Sequence, residues 1–274
     1  MRIDAHQHFW HYSSEQYPWI QADTPLEKDY LPIHLVPELH QCHLDGCVAV
    51  QARQSLEETR WLCELADQSP IIKAVVGWVD LRSDQVVEQL QQVCQYPKLV
   101  GVRHVVQDEP EDNFMLGHSF QRGISYLAQF GLTYDILIYP RQLPAAMRLA
   151  ENFPDQPFVL DHLAKPFIKD AVLEPWASEI RDLAKHPNVM CKVSGMVTEA
   201  KRHYWTEADF KPYLDVVWHA FGPDRLMFGS DWPVALLSGS YSQVYQLALA
   251  YFRPLGPDVE RKVFGDNARR FYGF

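Results

Sequence analysis

Short apolar runs recur along the chain, and the segments between them carry the 3.6-residue spacing of helices. The runs are MRIDAH, GCVAVQAR, IIKAVVGWVDL, LVGVRHV, LTYDILIY, FVLDHL, VMCKVSG and LMFGSD. They are rich in Val, Ile and Leu and mostly lack polar alternation, which fits strands buried on both faces of a parallel sheet. Between them, Ser83 is placed to N-cap a helix with Val86, Val87, Leu90 and Val93 on one face. Thr206 and Asp209 form a capping-box pattern before Tyr213, Val216, Val217 and Phe221. Gly131 and Gly222 stand where C-caps are expected. Further helices are predicted at Leu56–Gln68, Phe120–Phe130, Leu143–Asn152, Trp176–His186, Ser242–Phe252 and Val259–Phe271.

Strict alternation of strand and helix implies parallel pairing through right-handed crossovers, and eight such units close a single (β/α)8 barrel of the TIM type over residues 1–274. The alternative is an open doubly wound sheet, but no GxGxxG follows an early strand. The longest irregular stretch, about 12–37, reads as a long loop over the barrel mouth.

Composition narrows the picture. Hydrophobic residues make up 47% and charged residues 22%, enough for a sizeable core and against disorder. The net charge is -10 and Lys and Arg are scattered, so neither nucleic acid nor an anionic membrane is an expected partner. No apolar stretch approaches the roughly 20 residues of a spanning helix, and MRIDAHQHFW has no signal-peptide character, which points to the cytoplasm. Five cysteines without CxxC spacing read as buried, inert thiols.

In a barrel, catalytic groups project from the C-terminal strand ends. Those ends are polar here: His6 and His8, Gln51 and Arg53, Trp78 and Asp80, Arg103 and His104, Tyr134 and Asp135, Asp161 and His162, Lys192 and Ser194, Asp231 and Trp232. His6 and His8, two apart on an extended strand, point to one side and can share a metal ion. Trp78 and Lys192 carry less weight, since a large aromatic is more often core and a lysine more often solvated.

The N-terminal IDAHQHFW, the following YPWI, the central GVRH, then FVLDHLAKP, CKVSGM, FGSDWP and VFGDNARRFY together resemble the amidohydrolase superfamily. The branch is that of sugar lactonases of the L-fuconolactonase and L-rhamnono-lactonase type. The resemblance spans nearly the whole chain. It implies a distorted (β/α)8 barrel that opens the ester ring of an aldonic acid lactone, with no organic cofactor. It also implies a single divalent ion, zinc first, on His6, His8 and Asp231, because strand 4 ends in Arg103-His104 and offers no carboxylate to bridge a second. That ion is expected to be dispensable.

In this reading Asp231 is the base that deprotonates water. His6, His8 and His162 polarise the carbonyl with or without the ion. Arg103 and His104 donate to carbonyl or sugar oxygens, while Gln51, Arg53, Tyr134, Asp135 and Trp232 line the sugar pocket. Two alternatives stay open: a decarboxylase or amide hydrolase on the same scaffold, and a non-catalytic sugar-acid binding protein. Hydroxyl stereochemistry and oligomeric state are not encoded in residue spacing.

Overall fold

Each of the eight apolar runs forms a strand, and the strands pair in parallel in chain order. In the computed structural model, which describes residues 1–274, these are β1 Ile3–Gln7, β2 Gly46–Val50, β3 Ile72–Gly77, β4 Leu99–Val105, β5 Thr133–Leu137, β6 Phe158–Leu160, β7 Val189–Val193 and β8 Leu226–Phe228. Around them lie α1 Pro32–Gln41, α2 Leu56–Gln68, α3 Val86–Val93, α4 His118–Leu127, α5 Leu143–Asn152, α6 Trp176–Leu183, α7 Met196–Glu199, α8 Glu207–Phe221, α9 Tyr241–Phe252, α10 Pro257–Arg261 and α11 Asn267–Tyr272. The result is a TIM-type barrel with a seam between β1 and β8.

Local chemistry accounts for most boundaries. Ser55 caps α2 by accepting from the amides of Glu57 at 3.1 Å and Glu58 at 3.4 Å, a device worth about 1 kcal/mol. Thr206 and Asp209 form the expected box at the start of α8. Gly131 and Gly222 carry φ of 68° and 67° at their helix ends. Ser83 does not cap α3; its hydroxyl takes the Gln85 amide at 3.0 Å, and Gln85 stands at the N-cap.

Two expectations shift. The stretch read as loop to residue 37 ends earlier, because Pro32 opens α1 and Pro37 lies inside it. Proline at a first helical position is pre-set for the helix, so the prolines that read as loop mark a helix instead. The single helix expected over Val259–Phe271 is two, α10 and α11, separated by a π-helical turn at Lys262–Asp266.

The barrel interior holds Ile3, Ala5, Val48, Val50, Val76 and Met227, joined by Ala268 and Tyr272 of α11. A much larger apolar layer lies between strands and helices. Four β1 residues, from Asp4 to Gln7, span what three β2 residues span from Cys47 to Ala49. This bulge changes the alternation. Asp4 faces outward to Tyr241 of α9, while both Ala5 and His6 face inward.

The seam is held by few main-chain bonds. His8 donates to the Trp232 carbonyl at 2.7 Å, and Asp231 to the His6 carbonyl at 2.8 Å. Asp4 supplements them, accepting from the Ser230 amide at 2.8 Å and hydroxyl at 2.6 Å. Over the mouth, Tyr17 donates to buried Glu58 at 3.1 Å and Trp19 to the Ala52 carbonyl at 3.1 Å. All five cysteines are free thiols, and no helix is long and apolar enough to cross a membrane.

Candidate active site

Four side chains meet at the C-terminal end of the barrel, one from β1, one from the residue just after it and one each from the turns after β6 and β8. His6 and His8 bring their Nε2 atoms to 3.3 Å of each other. Asp231 Oδ1 lies 3.3 Å from His8 Nε2, 3.9 Å from His6 Nε2 and 3.8 Å from His162 Nε2. Four-coordinate zinc with ligands at about 2.0–2.1 Å sets neighbouring ligand atoms about 3.3–3.4 Å apart, so His6, His8 and Asp231 fit one ion.

The surroundings orient this trio. His8 Nδ1 lies 2.8 Å from the Val50 carbonyl, an obligate acceptor, so it carries the proton and Nε2 faces the centre with its lone pair. His6 Nδ1 lies 3.3 Å from Asp161 Oδ1 and 3.1 Å from Lys192 Nζ. Arg103 Nη1 is 3.1 Å from Asp161 Oδ2 and 3.3 Å from His6 Nε2. Asp161 also brings a carboxylate oxygen near the His6 and His162 ring nitrogens, and there it is paired with two fixed cations, Lys192 and Arg103.

Burial lowers the His6 pKa well below its ordinary value and takes His162 to about 4, so both rings are neutral at pH 7. Burial alone would raise Asp231, but the imidazoles of His162, His8 and His6 outweigh it and hold the carboxylate well below its usual range. Burial also acts against Asp161, where Lys192, His6 and Arg103 prevail and keep it ionised.

The backbone that presents these groups is strained. His162, Leu163, Ala164 and Lys165 have φ of 54°, 55°, 58° and 52°, and Asp231 has 57°. Left-handed conformation costs a non-glycine residue on the order of 1–3 kcal/mol. It is over-determined here by Trp176 Nε1 donating to the Leu163 carbonyl at 2.7 Å and by the 2.8 Å contact of His162 Nδ1 with Ser194 Oγ. These turns end β6 and β8 after three residues each and swing His162 and Asp231 over the barrel axis.

Gly195, with φ of 62°, lies against His162, and a Cβ there would fall 2.6 Å from the ring's Cγ and Nδ1. Gly195→Ala is therefore expected to push the imidazole aside and lower kcat by about 10²-fold, the scale for a misplacement of about 1 Å. Steady-state rates beside a thermal melt check this, and an unchanged kcat would remove the positional role of His162.

A cavity of about 580 Å³ opens above the centre, with Asp231, His8, His162 and Arg103 in its lining. Arg53 also lines it, and Pro18, Trp19, Val105, Leu137 and Val234 give it an apolar side. His6 is fully buried and reaches the centre from beneath the cavity floor. A groove of about 570 Å³ between α8 and α9 contains none of these groups.

Several expected pocket residues lie elsewhere. His104 points out of the barrel, pairing with Glu109 at 2.7 Å and stacking on Phe114. Tyr134 points out likewise, its ring against Phe120 and Phe158. Side chains alternate along a strand, so with Arg103 and Asp135 inside, their neighbours His104 and Tyr134 must face the helices. Trp232 packs into the core against Phe9 and Tyr30. Gln51 is sealed behind the site, where its carbonyl accepts from Arg103 Nη2 at 2.5 Å. Asp135 is sealed too, pairing with Lys192 at 2.5 Å and accepting from Tyr272 at 2.9 Å.

Some site residues carried little signal. Gln16, Gln54, Gln107, Asp108, Glu109 and Lys165 line the cavity from loops without periodicity. Asp161 was visible at a strand end, though nothing in its spacing announced the buried pairs it makes.

The barrel, its strained turns and its histidine-aspartate centre define a class of enzyme that activates water for attack on a carbonyl. Residues 3–274 match the amidohydrolase family, and the chain belongs to that family. It is 41% identical over 284 residues to L-fucono-1,5-lactonase of Burkholderia multivorans, covering 99% of this chain and 96% of that protein. The corresponding protein of Burkholderia ambifaria is 38% identical over 277 residues, covering 99% and 95%. A crystal structure of an amidohydrolase from Burkholderia multivorans with bound zinc superposes with a TM-score of 0.95 at 41% identity, covering 100% of this chain and 99% of that one.

Proposed function

We propose that the chain is a sugar lactonase, opening the ester ring of an aldonolactone such as L-fucono-1,5-lactone or L-rhamnonolactone. One observation carries the reading: an ionised, buried Asp231 meets three imidazoles at a sugar-sized cavity whose lining Arg103 shares. The 41% identity to an L-fucono-1,5-lactonase across nearly the whole chain supports it.

Lactone hydrolysis needs a base for water, donors for the carbonyl oxygen and a proton for the departing ring oxygen. All three imidazoles face Asp231 Oδ1, which leaves Oδ2 to take the proton from water. The same carboxyl then returns that proton to the leaving oxygen as the tetrahedral intermediate collapses. Arg103 stands in the cavity floor as the donor for developing negative charge, and Arg53 and Lys165 supply further positive charge along the wall. Trp19 and Val234 offer apolar contact to the C–H faces and the methyl group of a deoxy sugar.

We further propose that His6, His8 and Asp231 hold one divalent ion, zinc first, supported by the zinc in the similar structure. When bound, it would supply Lewis-acid polarisation of the carbonyl and acidify water. Exhaustive chelation, checked by elemental analysis, is expected to leave at least about a tenth of the activity, a barrier increase of at most about 1.4 kcal/mol. The ester is a reactive electrophile, and Arg103 with the imidazoles stays in place. Complete loss, reversed by zinc alone, would make the ion essential.

A panel of five- and six-membered aldonolactones, followed by acid release, tests the function itself. Turnover of one or more is expected, and turnover of none would overturn the lactonase reading.

A further inference from the structure

Lys192 on β7 is fully buried directly behind His6. Its ammonium contacts Asp135 Oδ2 at 2.5 Å, Asp161 Oδ1 at 3.1 Å and His6 Nδ1 at 3.1 Å. An ammonium only donates, so Lys192 favours the His6 tautomer with the lone pair on Nδ1 and the proton on Nε2. That proton faces His8 Nε2 at 3.3 Å, and His8 Nδ1 passes on a bond to the Val50 carbonyl at 2.8 Å. The neighbouring Arg103 Nη1 carries two protons, one to Asp161 Oδ2 at 3.1 Å and one toward His6 Nε2 at 3.3 Å, so it competes for the opposite tautomer from a greater distance than Lys192 holds to Nδ1. Lys192, His6, His8 and the Val50 carbonyl thus form a hydrogen-bonded chain that is satisfied without any metal.

Ligation requires the other tautomer. His6 must then turn a lone pair outward at Nε2 and donate from Nδ1, with Asp161 Oδ1 at 3.3 Å as the acceptor. Lys192 opposes that exchange and repels a dication as well. We propose that Lys192 is a resident cation that weakens the hold of His6, His8 and Asp231 on a divalent ion, and that keeps His6 a hydrogen-bond donor into the centre when no ion is present. Its role is positional, acting through His6. The inference rests on the reading of that trio as an ion site and is independent of the substrate. Removing a unit charge one imidazole away from a dication, even with water-like screening, is expected to tighten binding by about tenfold or more.

The test is zinc affinity, measured by chelator competition on metal-free protein, for the wild type, Lys192→Met and the pair Lys192→Met with Asp135→Asn. The double variant loses one positive and one negative charge together, so its net charge is unchanged and no carboxylate at position 135 is left unpaired. Tighter zinc binding there reports on the ammonium beside His6 alone. Lys192→Met is expected to bind zinc about tenfold or more tightly than the wild type, and the double variant more tightly by a smaller factor, since it also loses the attraction of the more distant Asp135 carboxylate. A folded double variant, verified by its melt, that binds zinc no tighter overturns the proposal. A wild type with no measurable zinc binding overturns it too, but by removing the ion site, and the lactone panel stands unaffected by either result.

Discussion

Asp231→Asn is expected to lower kcat by about 10²- to 10⁴-fold, the range for loss of a general base, with a much smaller change in KM. The substitution keeps the shape of the side chain and its place over the barrel axis but takes away the group that accepts the proton from water. It also changes the acid response. Asp231 is held below its ordinary pKa, so its charge contributes stability that is fully present above pH about 4 and is lost as the pH falls toward its folded value. The variant lacks that contribution, and its stability should fall less steeply below pH about 4. Initial rates on a turned-over lactone and melts across acidic pH measure both; full activity in the variant would place the base elsewhere.

Arg103→Met is expected to cost about 3 kcal/mol of stability, with a large loss of kcat/KM. Removing one partner of a buried ion pair typically costs about 3–5 kcal/mol because the other charge stays behind. The lower end applies, since Asp161 keeps Lys192 at 3.1 Å and His6 at 3.3 Å. For a chain of this size that corresponds to a fall in Tm of about 6–10 °C. The Gln51 carbonyl loses the donor that reached it at 2.5 Å, while the reciprocal bond from Gln51 Nε2 to the Arg103 carbonyl at 3.2 Å remains. A variant with unchanged Tm would mean that Asp161 is adequately held without the guanidinium. Unchanged kcat/KM would mean that Arg103 is a strut and not a donor to substrate.

Periodicity made the architecture legible. The helices Leu56–Gln68 and Leu143–Asn152 fall where their apolar spacing puts them, and the Thr206 and Asp209 box opens α8 as read. The polar strand ends led to His6, His8, His162, Arg103 and Asp231 because each ends or follows an apolar run. What spacing left hidden is which face a residue occupies and what meets it from far away. Applying strict alternation from Arg103 and Asp135 would have turned His104 and Tyr134 outward. The bulge in β1 breaks that same alternation and is invisible in IDAHQ, since it exists only against β2. Lys192 read as solvated because its three partners come from β1, β5 and the turn after β6, which no local window brings together. Trp232 read as a sugar platform because it follows Asp231, yet the left-handed conformation at Asp231 sends it into the core.

The seam between β1 and β8 gives the reaction centre a second duty. His6 and His8 stand on one lip and Asp231 on the other, so the side chains assigned to the chemistry also span the one junction that lacks a continuous ladder. Fluctuations concentrate where backbone bonds are fewest. Every transient parting of that junction therefore takes the centre apart while the other seven pairings hold. Evolution commonly trades stability for activity at such centres, yet here tightening the junction and aligning the centre are one adjustment, and natural variation at Asp4 or Ser230 would be felt as a change in turnover before it was felt as a change in fold.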